Sequence, residues 1–89
     1  MKYALVTGGS RGIGRAICIK LSEMGYYVLV NYATNEKEAQ KTLALIEQAK
    51  GQGEIMQFDV ASETSVENAL GQWIQQHPDK VIEVLINNA

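Results

Sequence analysis

The chain of 89 residues has one cysteine, one histidine and one proline. A single thiol, Cys18, cannot close an intramolecular disulfide, and with His77 alone no cluster is spaced to hold a structural metal. A reducing, cytoplasmic setting fits such a chain. No apolar run approaches the roughly 20 residues of a membrane-spanning helix, and Tyr3 to Val6 behind Lys2 is too short for the core of a secretory signal. Neither sign of charge is in surplus: eight Lys and Arg against ten Asp and Glu leave a net charge of −2, and the basic residues are dispersed. Nucleic-acid and membrane partners are therefore not expected. A chain this short makes at most one small domain and buries a modest fraction of its surface.

What is present is an alternation of short apolar runs and helix-length segments. Tyr3–Val6, Tyr27–Tyr32, Glu54–Phe58 and Val81–Ile86 read as strands, and three of the four are nearly continuous in Val, Leu and Ile. Continuous runs imply cover on both faces, the mark of a parallel sheet with helices above and below it. Between them, Ile13, Ala16, Ile17, Leu21 and Met24 recur at helical spacing and Gly25 follows as a stop. The second helix opens on Asn35 with Glu38 as a capping box, directs Ala39, Leu43 and Ile46 at the sheet, and ends by Gly51 and Gly53. In the third, Ser62 is the N-cap, Val66, Ala69, Leu70, Trp73 and Ile74 form one stripe, and His77-Pro78 ends it. The expected class is α/β, order β-α-β-α-β-α-β, spanning residues 1–89 as one half of a doubly wound sheet that stops after its fourth strand.

The segment Thr7-Gly8-Gly9-Ser10-Arg11-Gly12-Ile13-Gly14 directly follows the first apolar run. A strand, a turn that needs glycines and a helix N-terminus with unpaired backbone N–H groups form a place for a pyrophosphate. A P-loop is excluded on residue grounds, because Arg15-Ala16 stand where Lys and Ser or Thr would hold phosphate and magnesium.

With Gly8, Gly12 and Gly14 spaced T-G-x-x-x-G-x-G, the loop resembles the cofactor loop of the short-chain dehydrogenase/reductase family, whose fold is a Rossmann fold. Asp59-Val60, after the third strand, is similar to the family's adenine contact. Asn87-Asn88-Ala89, after the fourth, resembles its N-N-A-G element without the last glycine. The wording A-L-V-T-G-x-S-R-G-I-G-R-A-I and V-x-V-N-Y is most similar to bacterial 3-oxoacyl-acyl-carrier-protein reductases. That resemblance implies NADPH-dependent reduction of 3-oxoacyl thioesters on acyl carrier protein in fatty-acid synthesis, by a protein that assembles as a homo-oligomer. Another short-chain carbonyl or sugar reductase, or a nucleotide-binding module without catalysis, stays open.

NAD-specific relatives carry an acidic residue at the end of the second strand, where it binds the ribose hydroxyls and repels a 2′-phosphate. Asn31-Tyr32 occupy that place here, and Arg11 in the glycine loop is positioned for a phosphate, so NADP is favoured over NAD. Thr34, Asn35 and Lys37 are further neighbours of that phosphate, and Glu36 argues against it. The residues expected at the cofactor are thus Gly8, Gly9, Ser10, Arg11, Gly12, Ile13, Gly14, Asn31, Tyr32, Thr34, Asp59, Val60, Asn87, Asn88 and Ala89. The family's catalytic Ser, Tyr and Lys have no counterpart: none of Tyr3, Tyr26, Tyr27 and Tyr32 has a lysine four residues on. The 89 residues alone are expected to be inactive, and the fourth strand to form an apolar, association-prone edge. Cys18 is expected to be inert, His77 solvent-exposed and Trp73 part of the core.

Overall fold

The computed structural model describes residues 1–88, and the expected site residue Ala89 lies outside them. Four strands, β1 (Lys2–Thr7), β2 (Tyr26–Tyr32), β3 (Gln52–Gln57) and β4 (Ile82–Asn87), alternate with α1 (Gly12–Glu23), α2 (Glu36–Gln48) and α3 (Glu63–Gln76). All three strand pairings are parallel and the order across the sheet is β3-β2-β1-β4. The third strand begins at Gln52, ahead of the Glu54 expected from hydropathy, because pairing of Gln52 with Tyr27 extends the ladder through polar residues. Among the described residues no helix is long and apolar enough to cross a membrane.

Period-two alternation sorts the strands between two cores. Ala4, Val6, Val28, Val30 and Tyr32 face α1 and α2, where they meet Cys18, Leu21, Ala39 and Ile46. Tyr3, Leu5 and Leu29 face α3 and enclose Trp73 with Phe58. The register of β1 and β4 slips between Tyr3 and Ala4, whose partners are Ile82 and Val84. Glu83 is the extra residue, so the slip keeps apolar side chains aimed at both cores. The outer edge of β4 has no partner strand among the described residues, and Leu85 there is 65% exposed.

Helix α1 is rotated from the orientation its large apolar residues suggest. Its buried residues are Gly14, Cys18, Leu21 and Ser22, while Ile13 and Met24 are 73% and 62% exposed. The cause is steric: the first turn lies so close to the Gly8 carbonyl that Gly14 must face inward, since a Cβ there would overlap the Gly8 oxygen. Residues four, seven and eight positions on then share that face. On α3, Trp73 is buried and Val66, Ala69 and Leu70 pack beside it, but Ile74 points outward. His77 is half-buried rather than exposed: its ring stacks on Trp73 at 4.7 Å and Nδ1 lies 2.9 Å from the Trp73 carbonyl.

The helix starts differ as well. Asn35 caps α2 by accepting the Glu38 N–H at 3.2 Å, and Ser62 caps α3 by accepting the Ser65 N–H at 3.2 Å. The reciprocal half of the expected capping box is missing, because the Glu38 carboxylate is held by Arg15 and Lys41 instead. Gly25, at φ 97°, ends α1 as expected.

Candidate functional site

The carboxyl ends of β1, β2 and β3 surround an open groove of about 210 Å³. Gly8, Ser10 and Arg11 line it from the turn after β1, residues 31–35 from the end of β2, and Phe58 and Val60 from beyond β3. Its size falls below the roughly 300–1,000 Å³ of pockets that enclose a drug-sized ligand, so there is room in it for only part of such a molecule. Among the described residues no carboxylate lines it.

The turn joining β1 to α1 has Gly8 and Gly12 in the left-handed region, at φ 65° and 64°. A side chain at either would strain the backbone. Gly14 and Gly9 are needed instead for close approach. A Cβ on Gly14 would also come within 2.7 Å of Asn88 Nδ2, and one on Gly9 within 2.9 Å of Cys18 Sγ. Gly9 is turned into the core, and Ile13 turns to solvent.

Helix α1 begins at the groove without a cap. Arg11 occupies the N-cap position, makes no capping hydrogen bond, and no acidic residue lies in the first turn. Backbone N–H groups and the positive end of the helix dipole are thereby left for an anion. The exposed Arg11 side chain has no hydrogen bond or ion pair with the described residues.

Asn31 is spent on the protein. Its Oδ1 accepts the Gly8 N–H at 3.3 Å, while Nδ2 donates to the carbonyls of Met56 at 3.2 Å and Phe58 at 3.1 Å. With only 2% of its surface exposed, it ties the ends of three strands together and forms the floor of the groove. Tyr32 also faces inward, and its hydroxyl donates to Glu36 Oε1 at 3.1 Å. Burial, with the Glu36 carboxylate beside it, raises the Tyr32 pKa. Glu36 is therefore held by the phenol and does not line the groove. Thr34 does line it.

Beyond β3, Asp59 Oδ1 accepts the Ala61 N–H at 2.9 Å and the Asp59 N–H donates to Ser65 Oγ at 2.9 Å, so one carboxylate oxygen shapes the start of α3. Val60 lies between this groove and an apolar one under α3. Asn87 and Asn88 close the β1–β4 seam. Thr7 Oγ1 lies 3.2 Å from Asn87 Oδ1 and accepts the Asn88 N–H at 3.0 Å, and Asn88 Nδ2 reaches the Gly8 carbonyl at 3.4 Å.

Sequence reasoning missed a polar network behind the turn. Thr42, fully buried on α2, places Oγ1 at 3.0 Å from the Gly9 carbonyl and 2.9 Å from that of Ser10. Arg15 donates from Nε to Thr42 Oγ1 at 2.9 Å and from Nη2 to the Ser10 carbonyl at 2.6 Å and Glu38 Oε1 at 3.0 Å. Hydrogen bonds from Lys41 and Arg15 hold the Glu38 carboxyl below the usual range. The signal was a threonine between Ala39 and Ile46 on the inward stripe, since a buried hydroxyl requires partners. Cys18, under Gly9, has its thiol pushed up to about 12 by burial, in keeping with an inert group.

The same architecture recurs in known proteins. The family model described as short chain dehydrogenase matches residues 2–89. The chain is 47% identical over 89 residues to the uncharacterized oxidoreductase YgfF of Escherichia coli, covering all of this chain and 35% of that protein. It is 41% identical over 91 residues to the 3-oxoacyl-[acyl-carrier-protein] reductase FabG of Staphylococcus epidermidis, covering 99% of this chain and 35% of the relative. Among solved structures, the angucycline ketoreductase LanV with bound NADP superposes with a TM-score of 0.86 at 35% identity, over 99% of this chain and 36% of that one. The chain thus spans about a third of the length of these relatives. A family match over nearly every residue, joined to the strand order and the glycine turn, makes the chain a member of the short chain dehydrogenase family.

Proposed function

We propose that this chain is the dinucleotide-binding segment of an NADPH-dependent reductase that converts 3-oxoacyl thioesters on acyl carrier protein to 3-hydroxyacyl thioesters. The observation that carries the cofactor reading is the bare N-terminus of α1, which has no cap and no acid in its first turn, at a groove without a carboxylate. In this reading the pyrophosphate lies on the N–H groups of residues 10–14, the adenosine ribose against Tyr32 and Thr34, and a 2′-phosphate beside Arg11. Asp59 and Val60 border the adenine, and Asn87, Asn88 and Ala89 the second ribose. Gly9 and Asn31 act by shaping the turn, and Ile13 through its backbone N–H. Bound there, the cofactor supplies hydride to a carbonyl carbon.

NADP is favoured over NAD by the tethering of Glu36, the acid nearest in sequence to the ribose end, to Tyr32. LanV, a relative of the same fold, holds NADP. The thioester substrate, acyl carrier protein as its carrier, a cytoplasmic location and homo-oligomeric assembly rest on similarity to FabG. No Tyr-x-x-x-Lys motif occurs among these 89 residues, which favours, as a second reading, a nucleotide-binding module for these residues taken alone.

Fluorescence titration of the protein with NADPH and NADH tests the cofactor reading. Binding of NADPH at least about tenfold tighter than NADH is expected from one additional charge-assisted contact. Equal affinities, or tighter NADH, would refute it. Consumption of NADPH with an acetoacetyl thioester tests the substrate, and activity confined to other ketones would assign the protein to another branch of the family.

A further inference from the structure

Resting on the dinucleotide reading, we infer that Arg15, Thr42 and Glu38 are positioning residues that hold the glycine turn in its anion-binding form from behind. A peptide turn has two polar faces. Where a phosphate is to sit, N–H groups must face it and carbonyl oxygens must face away, because each misdirected carbonyl places a negative dipole against a negative ligand. Here the carbonyls of Gly9 and Ser10 are both engaged by Thr42 Oγ1, and Ser10 also by Arg15 Nη2, the shortest contact of the network at 2.6 Å. Neither Thr42 nor Arg15 lines the groove, so these oxygens are directed away from it.

The proton count makes the arrangement specific. Thr42 has one hydroxyl hydrogen to share among three carbonyls, those of Gly9, Ser10 and, at a longer 3.4 Å, Glu38 on its own helix, and it accepts the Arg15 Nε–H at 2.9 Å, so its orientation toward the turn is set by the guanidinium. Arg15 is fixed in turn by Glu38, through Oε1 and the backbone carbonyl, both at 3.0 Å. Its charge is compensated by Glu38 instead of being offered to the ligand, which leaves Arg11 as the phosphate-facing cation. Because α2 also begins at Asn35, on the ribose side of the groove, the brace joins the two ends of the ligand site through one helix.

The test compares Thr42→Val, Thr42→Ser and Arg15→Lys with wild type in the protein expressed from its natural reading frame. Two ligands are titrated: NADPH, which carries the pyrophosphate, and adenosine 2′-monophosphate, which lacks it. Loss of the hydroxyl in Thr42→Val should weaken NADPH about tenfold and leave adenosine 2′-monophosphate within roughly twofold, with Thr42→Ser restoring NADPH binding. Arg15→Lys retains the charge but not the planar fork, so it should weaken NADPH without creating a cavity, and it serves if Thr42→Val does not fold. Unchanged NADPH binding in both Thr42→Val and Arg15→Lys, or equal weakening of both ligands, would overturn the brace while leaving the dinucleotide reading in place. Wild-type protein that binds neither ligand would overturn both.

Discussion

All three helices begin where a strand of the parallel sheet has ended, so the positive ends of three helix dipoles point to the same side of the molecule. Two of them are satisfied by the protein. Helix α2 has the Asn35 cap with Glu36 and Glu38 in its first turn, and α3 has the Ser62 cap with Glu63. Helix α1 has neither cap nor acid, and it alone is preceded by a turn with two left-handed glycines. The same backbone element is thus completed internally twice and left open once. The proposed ligand site is distinguished by what its helix omits.

The sharpest way to break this distinction is to move the turn away from α1. Replacing Gly14 with Ala places a methyl on the Gly8 carbonyl, and the expected result is loss of measurable NADPH binding with about 3 kcal/mol of destabilisation by urea unfolding. Giving α1 what the other two helices have is more revealing. Arg11→Asp supplies a cap and an acid together, on a backbone already extended at φ −161°. Stability should rise by about 1 kcal/mol while NADPH affinity falls roughly a hundredfold, so that unfolding and titration move in opposite directions.

The packed side of the same turn has its own signature. Burial pushes the Cys18 thiol up to about 12, above the ordinary thiol value, so the folded state binds the proton more tightly. Its contribution is complete below the unfolded pKa and is lost as pH rises, by about 1 kcal/mol for each unit above roughly pH 8.5. Urea unfolding across that range should show the decline, and Cys18→Ala should flatten it. Ser62→Ala, at an internally satisfied N-terminus, should cost about 1 kcal/mol of stability and leave NADPH titration unchanged.

Much of this contrast was legible in the sequence. The strands announced themselves as continuous apolar runs because a parallel sheet is covered on both sides, and Asn35 and Ser62 were readable as caps because their bonds reach only three residues. What escaped depends on distance in the chain. Hydropathy put Ile13 and Met24 inside, but steric demand at Gly14 against Gly8 rotated the helix. Glu38 read as a capping partner because Arg15, 23 residues away, is not its neighbour in sequence. Asn31 was expected at the cofactor and does line the groove, and only the spatial approach of Gly8, Met56 and Phe58 reveals that its amide also joins the strand ends. The polar atoms of the glycine motif are local, while the atoms that hold it come from other elements.

The Asn31 amide sets a limit for anyone wishing to retool this protein. Its Nδ2 lies against three carbonyls, those of Phe58, Met56 and, at a longer 3.4 Å, Tyr32, so an aspartate there would exchange attractive contacts for repulsive ones and loosen the floor beneath Gly8. A redesign that seeks to reverse the proposed coenzyme preference by adding an acid should leave position 31 untouched and begin at the side chains of Ala33 or Thr34, which border the groove without bracing it.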